Sequence, residues 1–324
     1  MSAKPIAVGE ITAAPGQVAR GFLTTEVGRG VSVRMPVVVI NGKAGGPVFA
    51  VTAGVHGAEY PGIEAAIRLS RSLNPAEVRG AVIVVPVVSV PAYQRRAIYV
   101  NPLDGINFNR VCPGNPVGTI TEIMADLLFK HVIAQADYYI DLHGGDLIEA
   151  LVPFTLYYKS GNETVDAASK TLAEAYGIPI ILGNTVLRGG TYGAAAAMGT
   201  PAILTEAGGQ GILDEPSTQT HIRGVLNVLK KFGGLPGAPE PGPTPAYYSK
   251  FVWLAADQDG VYYPKVRVGQ QVKEGQLIAE FTDLFGEKIG ELTSPATGPV
   301  LFLVTSPAVN KNDPLMAIGA SQAG

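Results

Sequence analysis

The nine residues Gly54-Val55-His56-Gly57-Ala58-Glu59-Tyr60-Pro61-Gly62 constrain what this chain can fold into more than any other stretch. They follow an apolar run, Val48-Phe49-Ala50-Val51-Thr52-Ala53, which reads as a buried strand. They precede Ile63-Glu64-Ala65-Ala66-Ile67-Arg68-Leu69, which reads as a helix. A histidine and a glutamate therefore share a glycine-rich strand-to-helix turn. Open α/β sheets place ligands at such turns, outside the carboxyl ends of their strands. Imidazole together with carboxylate suits zinc, and Gly54, Gly57 and Gly62 let the backbone turn tightly without crowding the site.

The same alternation recurs along the chain. A helix over roughly 60–73 leads to the buried strand Gly80–Val88. Helical spacing runs through Ile120, Ile123, Met124, Leu127, Leu128 and Val132, and the strand Asp137–Leu142 follows, ending in His143-Gly144-Gly145-Asp146. A helix near 163–176, a strand from Ile178 to Leu182, the strand Ala202–Thr205 ending in Glu206, and a helix near 216–232 complete this half. Strands alternating with helices predict an α/β fold with a mostly parallel or mixed sheet covered by helices on both faces. Before it, residues 1–30 read as a polar N-terminal extension with a modest strand at Ala19–Leu23, and Val31–Ile40 as a strand pair or a bent strand. Asn41-Gly42 and Gly45-Gly46-Pro47 read as turns. Residues 89–118 form an irregular segment too long for a plain connector.

Domain boundaries follow from composition. The catalytic α/β domain spans 1–232, a Pro/Gly-rich linker 233–247, and a small all-β domain 248–324 built from short alternating strands and turns. The 324 residues suffice for one large core or two domains. Hydrophobic residues at 47% and charged residues at 16% exclude a disordered or coiled-coil chain. A net charge of −3 without a basic stripe argues against nucleic acid as a partner. The single cysteine, Cys112, forbids an internal disulfide. The start, Met1-Ser2-Ala3-Lys4-Pro5, lacks the apolar region of a signal peptide. Every long apolar run is interrupted before the ~18 residues that a membrane helix needs. A cytoplasmic enzyme with no membrane partner is expected.

His56, Glu59, His143 and Glu206 each fall at the carboxyl end of an expected strand, so one rim of the sheet could gather them. Two histidines and one carboxylate leave zinc an open fourth position, the catalytic arrangement. A further carboxylate must then take and return a proton, and Glu206 fits that role. Asp141, two residues before His143 on the same strand face, could bond the far nitrogen of a ligating ring. Other polar residues read as ordinary: His131 and His221 as helix positions, Asp146 and Glu149 as solvated, Cys112 as packing, and Tyr138-Tyr139 and Tyr157-Tyr158 as strand core.

Gly-Val-His-Gly-Ala-Glu at 54–59, Asn-Phe-Asn-Arg at 107–110, Asp-Leu-His-Gly at 141–144 and Thr-Glu-Ala-Gly at 205–208 together resemble the succinylglutamate desuccinylase/aspartoacylase family, which belongs with the zinc carboxypeptidases. The resemblance implies Zn2+ on His56, Glu59 and His143, Glu206 as general base, and Asn109 and Arg110 gripping a substrate carboxylate, for which the guanidinium fork is suited. It also implies an arginine that polarises the scissile carbonyl, with Arg95 or Arg96 as candidates. The family often has Asp-Leu-Asn-Arg where this chain has Asn107-Phe108-Asn109-Arg110. Aspartoacylase has a further arginine shortly before the catalytic glutamate, where this chain has Gly193-Ala194-Ala195-Ala196-Ala197. Some relatives deacetylate N-acetyl-diaminobutyrate, so the implied substrate is that compound or another small N-acyl amino acid. The C-terminal domain resembles the barrel-sandwich fold of lipoyl domains but lacks a suitably flanked lysine. It reads as a lid or an oligomerisation element, and a homo-oligomer is expected.

The leading reading is thus a zinc-dependent deacylase. The runner-up is a metallocarboxypeptidase acting on a peptide C-terminus. A third reading, a binding protein that kept the fold and lost the chemistry, is disfavoured by the presence of His56, Glu59, His143 and Glu206 together.

Overall fold

The structure, a computed structural model, describes residues 3–27, 30–186 and 188–321. A short hairpin, β1 (Ile6–Val8) and β2 (Ile11–Ala13), leads into two long antiparallel strands, β3 (Gln17–Glu26) and β4 (Ser32–Asn41). The expected N-terminal extension is therefore a sheet edge where it is described; its residues 1–2 and 28–29 lie outside the described residues. The run 31–40 supplies one strand, not two, because β4 is paired along its length with β3. Gly45-Gly46-Pro47 is not a free turn. It lies inside β5 (Ala44–Ala53), where an irregular register between Ala44 and Val48 absorbs it.

Next come α1 (Tyr60–Ser72), β6 (Arg79–Val85), a short α2 (Val90–Arg95), a single 3-10 turn at Phe108–Arg110, α3 (Ile120–His131), β7 (Tyr138–His143), β8 (Glu149–Leu151), β9 (Phe154–Tyr158), α4 (Glu163–Tyr176), β10 (Ile180–Asn184), α5 (Thr191–Ala197), β11 (Ala202–Glu206), α6 (Glu215–Lys231) and β12 (Ala246–Tyr248). Helix starts follow local chemistry. Thr119 and Glu122 cap α3 reciprocally, Asn162 caps α4, and Asp214 caps α6.

Nine strands form one sheet in the order β12-β10-β9-β11-β7-β5-β6-β4-β3. Its central pairs β6/β5, β5/β7 and β7/β11 are parallel, while β11/β9, β6/β4 and β4/β3 are antiparallel, which makes the sheet mixed. β5, β7 and β11 are apolar almost throughout because helices cover both faces. On one face Leu69 of α1, Leu172 of α4 and Val225 of α6 join a core with Val51 and Ile140. On the other, Met124 and Leu128 of α3 and Tyr192 of α5 pack with Ala50 and Tyr139. His221 of α6 is fully buried in the first layer, its Nδ1 2.8 Å from the Tyr176 hydroxyl, so it is a core histidine and not an ordinary surface position. Burial lowers its pKa to about 4, which keeps the ring neutral.

Beyond β12 the chain builds the expected all-β module: β13 (Lys250–Ala255), β14 (Gly260–Pro264), β15 (Gln271–Val272), β16 (Leu277–Thr282), β17 (Lys288–Thr293), β18 (Gly298–Val304), β19 (Ala308–Val309) and β20 (Pro314–Ala320). Two antiparallel sheets, one holding β13-β20-β18-β15 and the other β17-β16-β14-β19, enclose a core of Tyr262, Phe281, Leu315 and Ile318. The module is stitched to the main body. β8 pairs with β18, and Thr305 donates to the Ile148 carbonyl from its N–H (2.7 Å) and its hydroxyl (3.1 Å). The Pro/Gly segment before it is also pinned. Glu240 N–H donates to Asn227 Oδ1 at 2.8 Å, and β12, which begins at Ala246 inside the expected linker, adds a parallel edge strand beside β10. No described helix is long and apolar enough to cross a membrane.

Candidate metal and substrate site

β5, β7 and β11 lie side by side and run parallel, so their carboxyl ends share one rim. His56 and Glu59 follow β5, His143 ends β7, and Glu206 ends β11. The β7/β11 register sets Glu206 directly opposite His143. Two glycines make the β5 turn possible. Gly54 has φ 65, a left-handed conformation that glycine adopts without a Cβ penalty. A Cβ at Gly57 would fall 2.1 Å from the Tyr93 nitrogen, so the turn is pressed against α2. Pro61 in the first turn of α1 starts the helix immediately after Glu59.

Glu59 is 3% exposed and lies between two imidazoles. Its Oε1 is 2.8 Å from His56 Nδ1, and its Oε2 is 2.8 Å from His143 Nδ1. Oε2 nevertheless has no hydrogen-bond partner. One ligand atom from each of the three residues lies within 4.8 Å of the others. Two ring nitrogens and a carboxylate oxygen converging in a buried place, with one oxygen close to a ring nitrogen yet outside hydrogen-bond alignment, fit a metal ion that takes nitrogen and oxygen donors. The ring beyond is oriented as the sequence suggested. His143 Nε2 lies 2.9 Å from Asp141 Oδ2, so its N–H donates there, and in the neutral ring this leaves Nδ1 with the lone pair a metal would take. Asp141 is fully buried and also accepts from Thr52 Oγ1 at 2.5 Å and from the Thr191 hydroxyl. His56 Nε2 is 3.3 Å from Asn107 Oδ1.

The charges show what the place favours. Burial alone would raise Glu59, but the two imidazoles pull its carboxyl down to about 2. Burial likewise opposes charge on His56 and His143, yet Glu59 holds both above their ordinary values, His143 with help from Asp141. A carboxylate held ionised between two rings is a site that wants positive charge. Glu206 is the opposite case. Burial pushes its carboxyl well above the ordinary value, and its Oε2 has no hydrogen-bond partner.

One pocket is lined by His56, Glu59, His143, Glu206, Asn109 and Arg110. Asn109 is buried and fixed by the Thr191 N–H, which donates to its Oδ1 at 3.1 Å. Arg110 Nη1 donates to the Asn109 carbonyl at 3.0 Å. Arg95 and Arg96 do not join this group. Both are exposed at the end of α2, and neither lines the pocket.

Several residues in and behind the pocket wall were not foreseen. Asp146 is not solvated but fully buried, accepting from the Tyr99 and Leu147 N–H groups at 2.8 and 2.7 Å. Glu149 faces the pocket, as does Tyr99. Phe251, Trp253 and Phe302 of the C-terminal module form an aromatic wall with Leu151. The alternation Phe251/Trp253 in β13 was the only trace of that wall in the sequence.

A mixed α/β sheet that presents two histidines and two glutamates from adjacent strand ends, to a pocket that an arginine also lines, has a zinc-carboxypeptidase-like fold with a site that could hold a metal ion. Residues 45–232 match the succinylglutamate desuccinylase/aspartoacylase catalytic domain. The chain is 30% identical over 279 residues to N-alpha-acetyl-L-2,4-diaminobutyric acid deacetylase of Halomonas elongata, covering 82% of this chain and 80% of that protein. The product-bound structure of the ectoine utilisation protein EutE (DoeB) from Ruegeria pomeroyi superposes with a TM-score of 0.86 at 27% identity, covering 99% of both chains. A succinylglutamate desuccinylase/aspartoacylase from Rhodobacter sphaeroides does so with a TM-score of 0.83 at 27% identity, covering 95% of this chain and 96% of that one. This chain belongs to the succinylglutamate desuccinylase/aspartoacylase family.

Proposed function

We propose that the protein is a zinc-dependent hydrolase that cleaves the amide bond of a small N-acyl amino acid, with Glu206 as general base. The observation that carries this reading is the register of β7 against β11, which sets Glu206 across from His143 and beside the three candidate ligands. Zinc held by His56, Glu59 and His143 would supply a Lewis acid and lower the pKa of a bound water to about 7. Glu206 takes the proton from the attacking water and returns it to the leaving nitrogen. Its raised pKa suits that second duty, because a strongly acidic carboxyl would not hold the proton long enough to give it back. Arg110 binds the carboxylate of the amino acid through its paired N–H groups, and Asn109, locked by Thr191, borders it. Arg95 or Arg96 could reach the scissile carbonyl only by leaving its exposed place on α2, so the reading does not depend on either.

The aromatic wall supports a small substrate over a peptide. Phe251, Trp253 and Phe302 line the same pocket as the ligands, which narrows the approach that a peptide chain would need. The relative from Halomonas elongata makes N-acetyl-diaminobutyrate the first substrate to try. The test is metal analysis of the purified protein together with a screen of N-acetyl and N-succinyl amino acids for amine release. Stoichiometric zinc and release from at least one of them is the expected result. Zinc-loaded protein that releases amine from none, but trims peptides, would favour the carboxypeptidase reading.

A further inference from the structure

Two charged groups line the pocket without a counter-charge. Arg110 donates to a backbone carbonyl, and no described carboxylate pairs with it. Glu149 accepts from the Tyr99 hydroxyl at Oε1 and from the Asp146 N–H at Oε2, both at 3.0 Å, and no described lysine or arginine pairs with it. The two face one cleft and do not pair with each other. Leaving opposite charges unpaired in one partly desolvated space is costly. A ligand that brings a negative and a positive group of its own removes both costs at once.

The surroundings of Glu149 are built, not incidental. Tyr99 sits at φ 59, unusual for a residue with a side chain, and its N–H is tied to Asp146 Oδ2 at 2.8 Å. Such conformations persist where neighbouring structure enforces them and gather at ligand sites. Asp146 is fully buried, and β8 is held in register by β18, with Glu149 opposite Val304 and Leu151 opposite Phe302. Glu149 and Leu151, two apart on a strand, point to the same side as Phe302, giving one carboxylate on an apolar wall. Burial raises the Glu149 carboxyl to about 7, so a cation arriving beside it would draw it into the ionised form.

We propose that Glu149 is a specificity-determining residue that binds a positively charged group on the substrate side chain, opposite the carboxylate held by Arg110. The inference rests on the deacylase reading above. In an N-acyl amino acid the α-nitrogen is an uncharged amide, so the positive group belongs to the side chain. The substrate class is then N-acyl derivatives of short diamino acids, with the stem lying along Leu151 and Phe302.

The test compares Nα-acetyl-2,4-diaminobutyrate with Nα-acetyl-norvaline, in which a methyl group replaces the ammonium at equal size. Wild-type protein should prefer the charged substrate. Glu149→Gln keeps the size but loses the charge; its oxygen can still accept from the Asp146 N–H while its NH2 donates to the Tyr99 hydroxyl, which can turn to accept. The ratio of kcat/KM values, charged over neutral, should fall about ten- to a hundred-fold. Tyr99→Phe should lower the same ratio less. A ratio that stays the same in Glu149→Gln, or a wild-type preference for norvaline, overturns the inference even if deacylation is confirmed. If the wild type releases amine from neither, the deacylase reading fails, and calorimetry with the free amino acids still decides. Diaminobutyrate binding tighter than norvaline in the wild type and equal to it in Glu149→Gln supports the cation site; equal binding in the wild type removes it.

Discussion

Replacing Asp141 should weaken metal binding without touching a ligand, by an amount that the geometry sets. The Asp141 carboxylate makes three side-chain contacts in full burial: His143 Nε2 at 2.9 Å, Thr52 Oγ1 at 2.5 Å, and the Thr191 hydroxyl. The first fixes which ring nitrogen of His143 carries the proton. In Asp141→Ala that N–H loses its acceptor, and either tautomer becomes available, one of which puts a proton on Nδ1, the candidate ligand atom. A hydrogen bond to a charged group contributes roughly 1.5–3 kcal/mol, which at about 1.36 kcal/mol per decade is about ten- to a hundred-fold. Partners of ligating histidines in other metal sites show the same range, about 10–100-fold. Asp141→Asn should fall at the low end. Its oxygen can take the position facing His143 and Thr191 while its NH2 donates to Thr52, whose hydroxyl already lies 2.7 Å from Tyr139 Oη and can turn to accept. Zinc affinity measured by competition with a chromophoric chelator at neutral pH would give the order wild type, Asn, Ala. An Ala variant that holds zinc as tightly as the wild type would refute the claim that Asp141 sets the tautomer of His143.

Other substitutions test the remaining roles. Glu206→Gln should lower kcat by about 10²–10⁴-fold while zinc content stays stoichiometric, since it removes a proton acceptor and not a ligand; zinc lost in parallel with activity would make Glu206 a ligand. Arg110→Lys keeps charge but not the fork, so kcat/KM should drop about ten- to a hundred-fold for N-acyl amino acids and little for the matching amides. Equal losses on acid and amide would remove Arg110 from carboxylate recognition. Gly57→Ala would drive a Cβ to 2.1 Å from the Tyr93 nitrogen and 2.2 Å from the Ala92 carbonyl carbon, so it should lower both thermal stability and zinc content; a variant matching the wild type in melting temperature and metal would show that the turn can move off α2.

The gathering of His56, Glu59, His143 and Glu206 at one rim was legible because each ends or soon follows a strongly apolar strand. His56, Glu59, His143 and Glu206 are placed by the carboxyl ends of β5, β7 and β11, and strands buried on both faces write themselves into sequence as continuous apolar runs. The wall of the pocket around Glu149 was not legible for a physical reason. Glu149 lies in a three-residue strand that exists only because β18 supplies its partner from far along the chain, and nothing local announces such pairing. Asp146 reads as a loop acid, yet its partners are the backbone of Tyr99 and Leu147. His221 has ordinary helical spacing, and only the packing of α6 against α4 shows that it meets Tyr176. Arg95 and Arg96 were candidates through the family resemblance, as arginines of the loop that precedes Asn109 and Arg110. The left-handed turn at Arg96 ends α2, and both side chains stay in solvent.

The ladder between β8 and β18 divides labour between two stretches of the gene. Residues that would handle metal and proton come from strand ends and a turn in the first two thirds of the chain, as do Arg110 and Glu149, whereas the aromatic side of the pocket, Phe251, Trp253 and Phe302, comes from the last third. Mutations in that last third can reshape the cavity by exchanging one aromatic for another while the His56-Glu59-His143 cage, resting on different strands, is left as it was. A chain arranged in this way can acquire new substrates by drift in its tail, and the chemistry need not be reinvented each time.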